Sequence, residues 1–172
     1  YHRYVLGLYE LMERITSAVP DVLFEGCSGG GGRFDAGFAY YMPQIWTSDN
    51  TDAVSRLTIQ YGTSLVYPIS MTTAHVSAIP NHQTGRKTSF ETRGNAAMSA
   101  VFGYELDLTK MSQEDKDQVK EQVACYKEIR KLIQYGNFYR LKSPVETNQS
   151  AWMFVSDDKR DVCVMTFQVL AF

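Results

Sequence analysis

The 172 residues are enough for one domain or part of one, and a composition 44% hydrophobic and 13% aromatic can build a core, which excludes a disordered chain. Seventeen basic against nineteen acidic residues leave a net charge of −2 with no basic run, so nucleic acid is not a partner that the charge predicts. No apolar run approaches a membrane span and no signal peptide is visible, while three cysteines without CxxC spacing (Cys27, Cys125, Cys163) argue against a disulfide framework or zinc knuckle and fit a reducing, cytoplasmic compartment.

Apolar residues at Val5, Leu8, Met12 and Ile15 predict a helix over 1–18 with one buried face, closed by Pro20. Val22-Leu23-Phe24 reads as a short buried strand, followed by the glycine-rich stretch Gly26-Cys27-Ser28-Gly29-Gly30-Gly31-Gly32. A helical turn over 36–41 leads to a second brief strand at Ile45-Trp46 and the polar turn Thr47 to Asp52. A helix over 52–65 follows, with Val54, Leu57 and Tyr61 on one side. A third strand is expected over 67–76, its tail running through Thr72, Thr73, Ala74, His75 and Val76 to Ser77. Pro80 to Lys87 is a turn cluster, 89–101 a helix and 102–108 an alternating strand. Ser112 with Asp115 forms the start of a long helix that carries Val119, Val123, Tyr126 and Ile133 and stops at Gly136.

Helix and strand alternate through about Leu141, the pattern of parallel βαβ units. Beyond Pro144 the texture changes to a hairpin, Ala151 to Val155, a turn over 156–161, and 162–172. A domain boundary is therefore expected between Arg140 and Pro144. The first residue is Tyr1 rather than Met and the last residues are apolar, so the chain reads as a piece of something longer.

In parallel α/β folds, turns at the carboxyl ends of strands are where ligands bind. Four consecutive glycines suit a loop that approaches something closely. From spacing alone three readings of that loop stand side by side. It is a nucleotide-binding turn of the methyltransferase type, a structural turn, or a loop lining a small-molecule pocket with Cys27. Against the nucleotide reading, Gly37 and Pro43 interrupt the helix that ought to follow. Cys27 as a nucleophile would need His75 or His82 as its base, and nothing in the sequence ties them together. Asp49 also has two readings. One of Ser48, Asp49 or Thr51 caps the following helix, or Asp49 is a working carboxyl at a strand end beside the aromatic platform of Trp46. His2, His75 and His82 have no metal-ligand spacing.

Taken together, LYELMERI, CSGGGGRFD, QIWTSDNTDA with SRLTIQYG behind it, YPISMTTAHVS, PNHQTGR and FETRGNAAMSAVFGYELDL resemble glycoside hydrolase family 36, the bacterial and fungal α-galactosidases or melibiases, in the family's order through about Leu141. The resemblance implies an α/β fold. Residues 1–140 would be the C-terminal half of a (β/α)8 TIM barrel holding its last four strands, and 141–172 the start of an all-β C-terminal domain, a β-sandwich. It implies retaining hydrolysis of terminal α-galactosides of the melibiose and raffinose type, with neither metal nor cofactor, by two carboxyls about 5 Å apart. Family members that act on α-N-acetylgalactosaminides or transfer galactose to sucrose share this scaffold. Asp49 corresponds to the family's general acid/base; Cys27, Gly29 and Gly30 to residues touching the bound galactose; Trp46 to a residue beside the substrate. The family's nucleophile belongs to a Lys-Trp-Asp motif on an earlier strand, and no such motif occurs here. The isolated chain is therefore expected to be inactive, and the full-length protein a homo-oligomer that binds α-galactoside oligosaccharides.

Overall fold

The computed structural model describes residues 1–170, which fall into two units, Tyr1–Asp49 and the chain from Asn50 onward. The expected residues beyond 170 of the last strand lie outside the described residues.

The first unit begins with α1 (His2–Ala18), which ends before Pro20 as proline demands. Its half-buried residues Val5, Leu8, Tyr9, Met12 and Thr16 trace one stripe at helical spacing, but no residue of the helix is buried and Ile15 stays exposed. The expected buried face is thus only a half-covered one. It meets α3 (Ala36–Tyr41), where the Tyr9 ring lies 6.1 Å from that of Tyr41 and the Tyr9 hydroxyl donates to Asp35 at 2.8 Å. Asp35 also accepts from the Phe38 N–H at 2.8 Å and so caps α3.

The strand expected at 22–24 is instead β1 (Glu25–Gly26), paired in parallel with β2 (Gln44–Ile45). Val22 and Leu23 are 53% and 71% exposed, so the apolar run is not the strand. The register sets Phe24 beside Pro43, and the residue before that, Met42, still closes α3, its N–H donating to the Phe38 carbonyl at 3.0 Å, so the ladder starts after it. Gly26, Phe38 and Ile45 are the buried residues here, and a methyl group on Gly26 would stand 2.5 Å from the Phe38 ring.

In the second unit α4 (Ala53–Thr63), α5 (Phe90–Met98) and α6 (Gln113–Tyr135) start at Asp52, Ser89 and Ser112, each accepting from the N–H three residues on. Strands β3 (Thr73–Ser77) and β4 (Val101–Glu105) pair in parallel across α5, from Thr73 opposite Val101 to Ser77 opposite Glu105. The third strand starts later than expected. The N–H groups of Met71 and Thr72 are bonded back to Pro68 and Ile69 in a 3-10 turn and cannot join a ladder. Likewise β4 stops before Leu108, where Asp107 caps a second 3-10 turn.

One strand has no counterpart among the expected elements. β5 (Asn137–Lys142) leaves α6 directly and forms an antiparallel sheet, in the order β5-β6-β7, with β6 (Gln149–Val155) and β7 (Val162–Gln168). Gly136 permits the abrupt change, since a methyl group there would meet the Leu132 carbonyl oxygen at 2.5 Å. The expected hairpin is present as β6 and β7, joined by the turn over 156–161.

One core joins Leu57, Ala74, Val76, Phe90, Ala97, Ile133, Trp152 and Phe154. The inward face of α4 is not purely apolar, as Val54, Leu57 and Tyr61 had suggested. Arg56 and Gln60 are buried beside Ala53 and Leu57, whereas Val54 and Tyr61 are half-buried. Arg56 donates to the Thr73 carbonyl at 2.7 Å, and Gln60 donates to the Ala96 carbonyl at 3.0 Å. Burial draws the Arg56 guanidinium down to about 10, and the hydrogen bonds offset part of that desolvation.

Candidate active site

The glycine stretch is a single left-handed turn. Ser28, Gly29, Gly30 and Gly31 have φ of 67°, 64°, 70° and 88° in succession. The turn α2 (Ser28–Gly31) closes with the Gly31 N–H donating to the Cys27 carbonyl at 3.2 Å and the Gly32 N–H to the Ser28 carbonyl at 3.0 Å. Left-handed helix costs an L-residue roughly 1–2 kcal/mol, so three of four positions being glycine is what makes the turn affordable. As at any helix start, the first N–H groups have no partner inside the turn.

The turn lies against the backbone that follows β2. The Trp46 N–H donates to the Gly26 carbonyl at 2.9 Å, continuing the β1–β2 register. A methyl group on Gly31 would stand 2.8 Å from the Trp46 carbonyl oxygen, and one on Gly30 would stand 2.9 Å from Ser48 Cα and closer still to the Asp49 nitrogen. At Gly29 the same construction meets nothing within 4 Å. The two inner glycines are therefore required by close approach of main chain to main chain, and Gly29 faces open space. Cys27 and Asp49 are exposed, and Trp46 is half-buried.

Five positions singled out in the sequence, Cys27, Gly29, Gly30, Trp46 and Asp49, thus fall on one pair of strand-end segments. Gly31 and Ser28 belong to the same turn and were not singled out. The glycine run was the available signal for Gly31, whereas nothing in a serine announces a positive φ.

The capping alternative for Asp49 fails, as does the expectation that Ser48, Asp49 or Thr51 caps α4. Asp52 does so, its carboxylate accepting from the Ser55 N–H at 3.0 Å and from the Ser55 hydroxyl at 2.9 Å. The nucleotide-turn reading loses its main element as well, because the glycines form a left-handed turn and the helix after them, α3, has six residues. His75 stands opposite Gly103 in the β3–β4 register, its Nδ1 3.8 Å from Glu105. The missing side chain at Gly103 gives the imidazole its room. Among the described residues no group of three or more His, Cys, Asp or Glu side chains is gathered as for a metal ion, and no helix is long and apolar enough to cross a membrane.

Parallel strands joined through helices, with a glycine turn and an aspartate-bearing segment at strand ends, define an α/β chain of the kind that carries its site on strand-end loops. The Melibiase family model matches residues 1–136, and the chain belongs to that family. It is 68% identical over its whole length to "Alpha-galactosidase 1" of Pediococcus pentosaceus, of which it covers 24%. Over 99% of its length it is 65% identical to AgaA of Geobacillus stearothermophilus, covering 23% of that protein. The crystal structure of a variant of AgaA in complex with 1-deoxygalactonojirimycin, a family 36 α-galactosidase, matches with a TM-score of 0.98 at 65% identity, over 99% of this chain and 24% of that one. Another AgaA variant, in complex with raffinose, matches with the same TM-score at 64% identity and the same coverage. The chain thus spans about a quarter of the length of the relatives it matches.

Proposed function

We propose that this chain is part of a retaining α-galactosidase that hydrolyses terminal α-D-galactosyl residues of melibiose- and raffinose-type oligosaccharides, with Asp49 as its general acid/base. The observation that carries this reading is the stacking of the glycine turn on the Trp46–Asp49 backbone, in a chain 65–68% identical to α-galactosidases. In the first step Asp49 gives its proton to the glycosidic oxygen while a second carboxylate attacks the anomeric carbon. In the second step the ionised Asp49 takes a proton from water, which releases galactose with the α configuration retained. The second carboxylate comes from a part of the protein outside these residues, since no Lys-Trp-Asp motif is present. Cys27, Gly29 and Gly30 hold the sugar ring, the open side of Gly29 and the first N–H groups of the turn being turned toward its hydroxyls, and Trp46 flanks it.

Residues 1–140 would then be the C-terminal part of the (β/α)8 catalytic barrel and 141–172 the beginning of the C-terminal β-sandwich domain. Two separate pairs of parallel strands, β1–β2 and β3–β4, each joined through helix, followed by an antiparallel sheet, support that division, although β5 straddles position 140. The full-length protein would be a cytoplasmic homo-oligomer. Replacing Asp49 by alanine in it tests the central assignment. The kcat/KM for raffinose should fall by roughly 10²- to 10⁴-fold, the usual worth of general acid–base catalysis. A nitrophenyl α-galactoside, whose leaving group needs no proton, should lose far less. Unchanged raffinose hydrolysis would sink the assignment.

A further inference from the structure

The loop after β3, Pro80 to Lys87, has no role in the reaction just described, yet its polar groups converge on one short segment. Thr51 is held at every polar group it has. Its N–H donates to Gln83 Oε1 at 3.0 Å, its carbonyl accepts from the Ser77 hydroxyl at 3.1 Å, and its side-chain oxygen accepts from the Asn81 amide at 3.0 Å. The next residue, Asp52, is joined by Arg86 through Nη1, and this carboxylate is almost wholly buried.

The loop is itself braced for this task. The Asn81 N–H donates to the Arg86 carbonyl at 2.9 Å, and the Gly85 N–H to the Asn81 carbonyl at 2.8 Å. Asn81 Oδ1 accepts from the N–H groups of Gln83 and Thr84, both at 3.0 Å. Asn81 is 3% exposed, whereas residues 82–87 lie at the surface. A helix cap does not need this apparatus, because Asp52 already caps α4 through Ser55 without any help from Arg86.

We propose that Gln83, Asn81 and Arg86 are positioning residues for the acid/base, acting through Thr51 and Asp52 to fix the chain from which Asp49 projects; this rests on the reading of Asp49 given above. Thr51 is two residues from Asp49, a span of at most roughly 7 Å of chain. Thr51 is held along three directions, which anchors the chain two residues away from Asp49. Proton transfer to a leaving oxygen is sensitive to such placement, a shift of about 1 Å being worth as much as 10²-fold in rate.

The test is made in the full-length protein with Arg86→Ala, Arg86→Lys and Gln83→Ala, reading kcat/KM for raffinose and for a nitrophenyl α-galactoside beside thermal melting. Both Arg86 and Gln83 are exposed enough that little packing is lost on truncation. Arg86→Ala should lower kcat/KM for raffinose about tenfold to 10²-fold and that for the nitrophenyl substrate less than about threefold, because only the former needs the proton. Arg86→Lys should recover most of the loss, and Gln83→Ala should show the same substrate preference on a smaller scale, which keeps the test open if Arg86→Ala does not fold. Equal losses on both substrates, or none, would overturn the positioning role. Asp49→Ala is run in parallel: if it leaves raffinose hydrolysis intact, the acid/base assignment falls and this inference with it, whereas a defect there without one in the loop variants overturns only the positioning role.

Discussion

Residues 25–49 and residues 50–105 use the same βαβ grammar and are held together differently. In the first stretch the buried residues are few, Gly26, Phe38 and Ile45, and the close contacts are of backbone on backbone, with Gly30 and Gly31 lying on the chain from Trp46 to Asp49. In the second, helix faces are buried, and arginine side chains reach from them to the carbonyls at the two ends of β3, Arg56 to Thr73 and Arg93 to Ser77. On the reading proposed for Asp49, the difference separates the place of the chemistry from the place of the stability. A segment with few buried side chains contributes little to the core, but its main chain can be set closely enough to present N–H groups and a carboxyl to a ligand.

The comparison breaks most visibly if a core substitution and a turn substitution behave alike. Leu57→Ala removes a side chain that is 1% exposed, and should cost about 2–5 kcal/mol of stability while leaving activity per folded molecule near that of the parent. Thermal melting and active-site titration check both halves of that statement. A normal melt together with lost activity would contradict it.

Next in size is the contrast between two neighbouring glycines with nearly the same φ. Gly29→Ala should cost only the left-handed strain of an L-residue, roughly 1–2 kcal/mol. Gly30→Ala pays that strain and also drives a methyl group into the backbone of Ser48 and Asp49, so its melting temperature should drop further. Equal melts for the two variants would mean that the turn is free to lift away from Asp49.

The smallest expected effect is at the cap of α3. The Phe38 N–H, and after it the Tyr9 hydroxyl, hold the Asp35 carboxyl below the usual carboxylate range. Because the folded value is the lower one, this stabilisation is complete above the ordinary carboxylate range, about 4, and disappears as the pH falls through the folded value. Hydrogen exchange at the Phe38 amide should accordingly be protected at neutral pH and lose that protection in acid, and Asp35→Asn should flatten the dependence. Acid-insensitive protection would show that the carboxylate is not what holds the helix start.

Much of this arrangement was legible because the elements carry local signals. Ser112 with Asp115 announced α6, Gly136 its end, and the turn over 156–161 the β6–β7 hairpin. The errors came where pairing, not propensity, decided the outcome. Val22 to Phe24 look like a strand by composition, but the chain in register with them is still closing α3 at Met42, and the two residues that do pair are Glu25 and Gly26. β5 was missed because Asn137 to Lys142 falls between the helix stop at Gly136 and the boundary expected at Arg140 to Pro144, and of its residues only Phe138 is half-buried. Arg56 and Gln60 looked like the solvent side of α4, since a sequence does not disclose that carbonyls wait for them. At the site the five positions came from motif order, and their joint placement on two touching segments was visible only in three dimensions. That Asp52, and not Asp49, caps the helix also needed coordinates.

The measurement that bears most directly on Asp49 is the stereochemistry of azide rescue. Full-length Asp49→Ala protein would be given a nitrophenyl α-galactoside and sodium azide, and the anomeric configuration of the galactosyl azide read by NMR. If Asp49 is the acid/base, the nucleophile is intact and forms a β-linked galactosyl-enzyme, which azide attacks in place of water with a second inversion. The product is then α-galactosyl azide. A β-galactosyl azide, formed by a single inversion of the α-linked substrate, would identify Asp49 as the nucleophile and contradict the account.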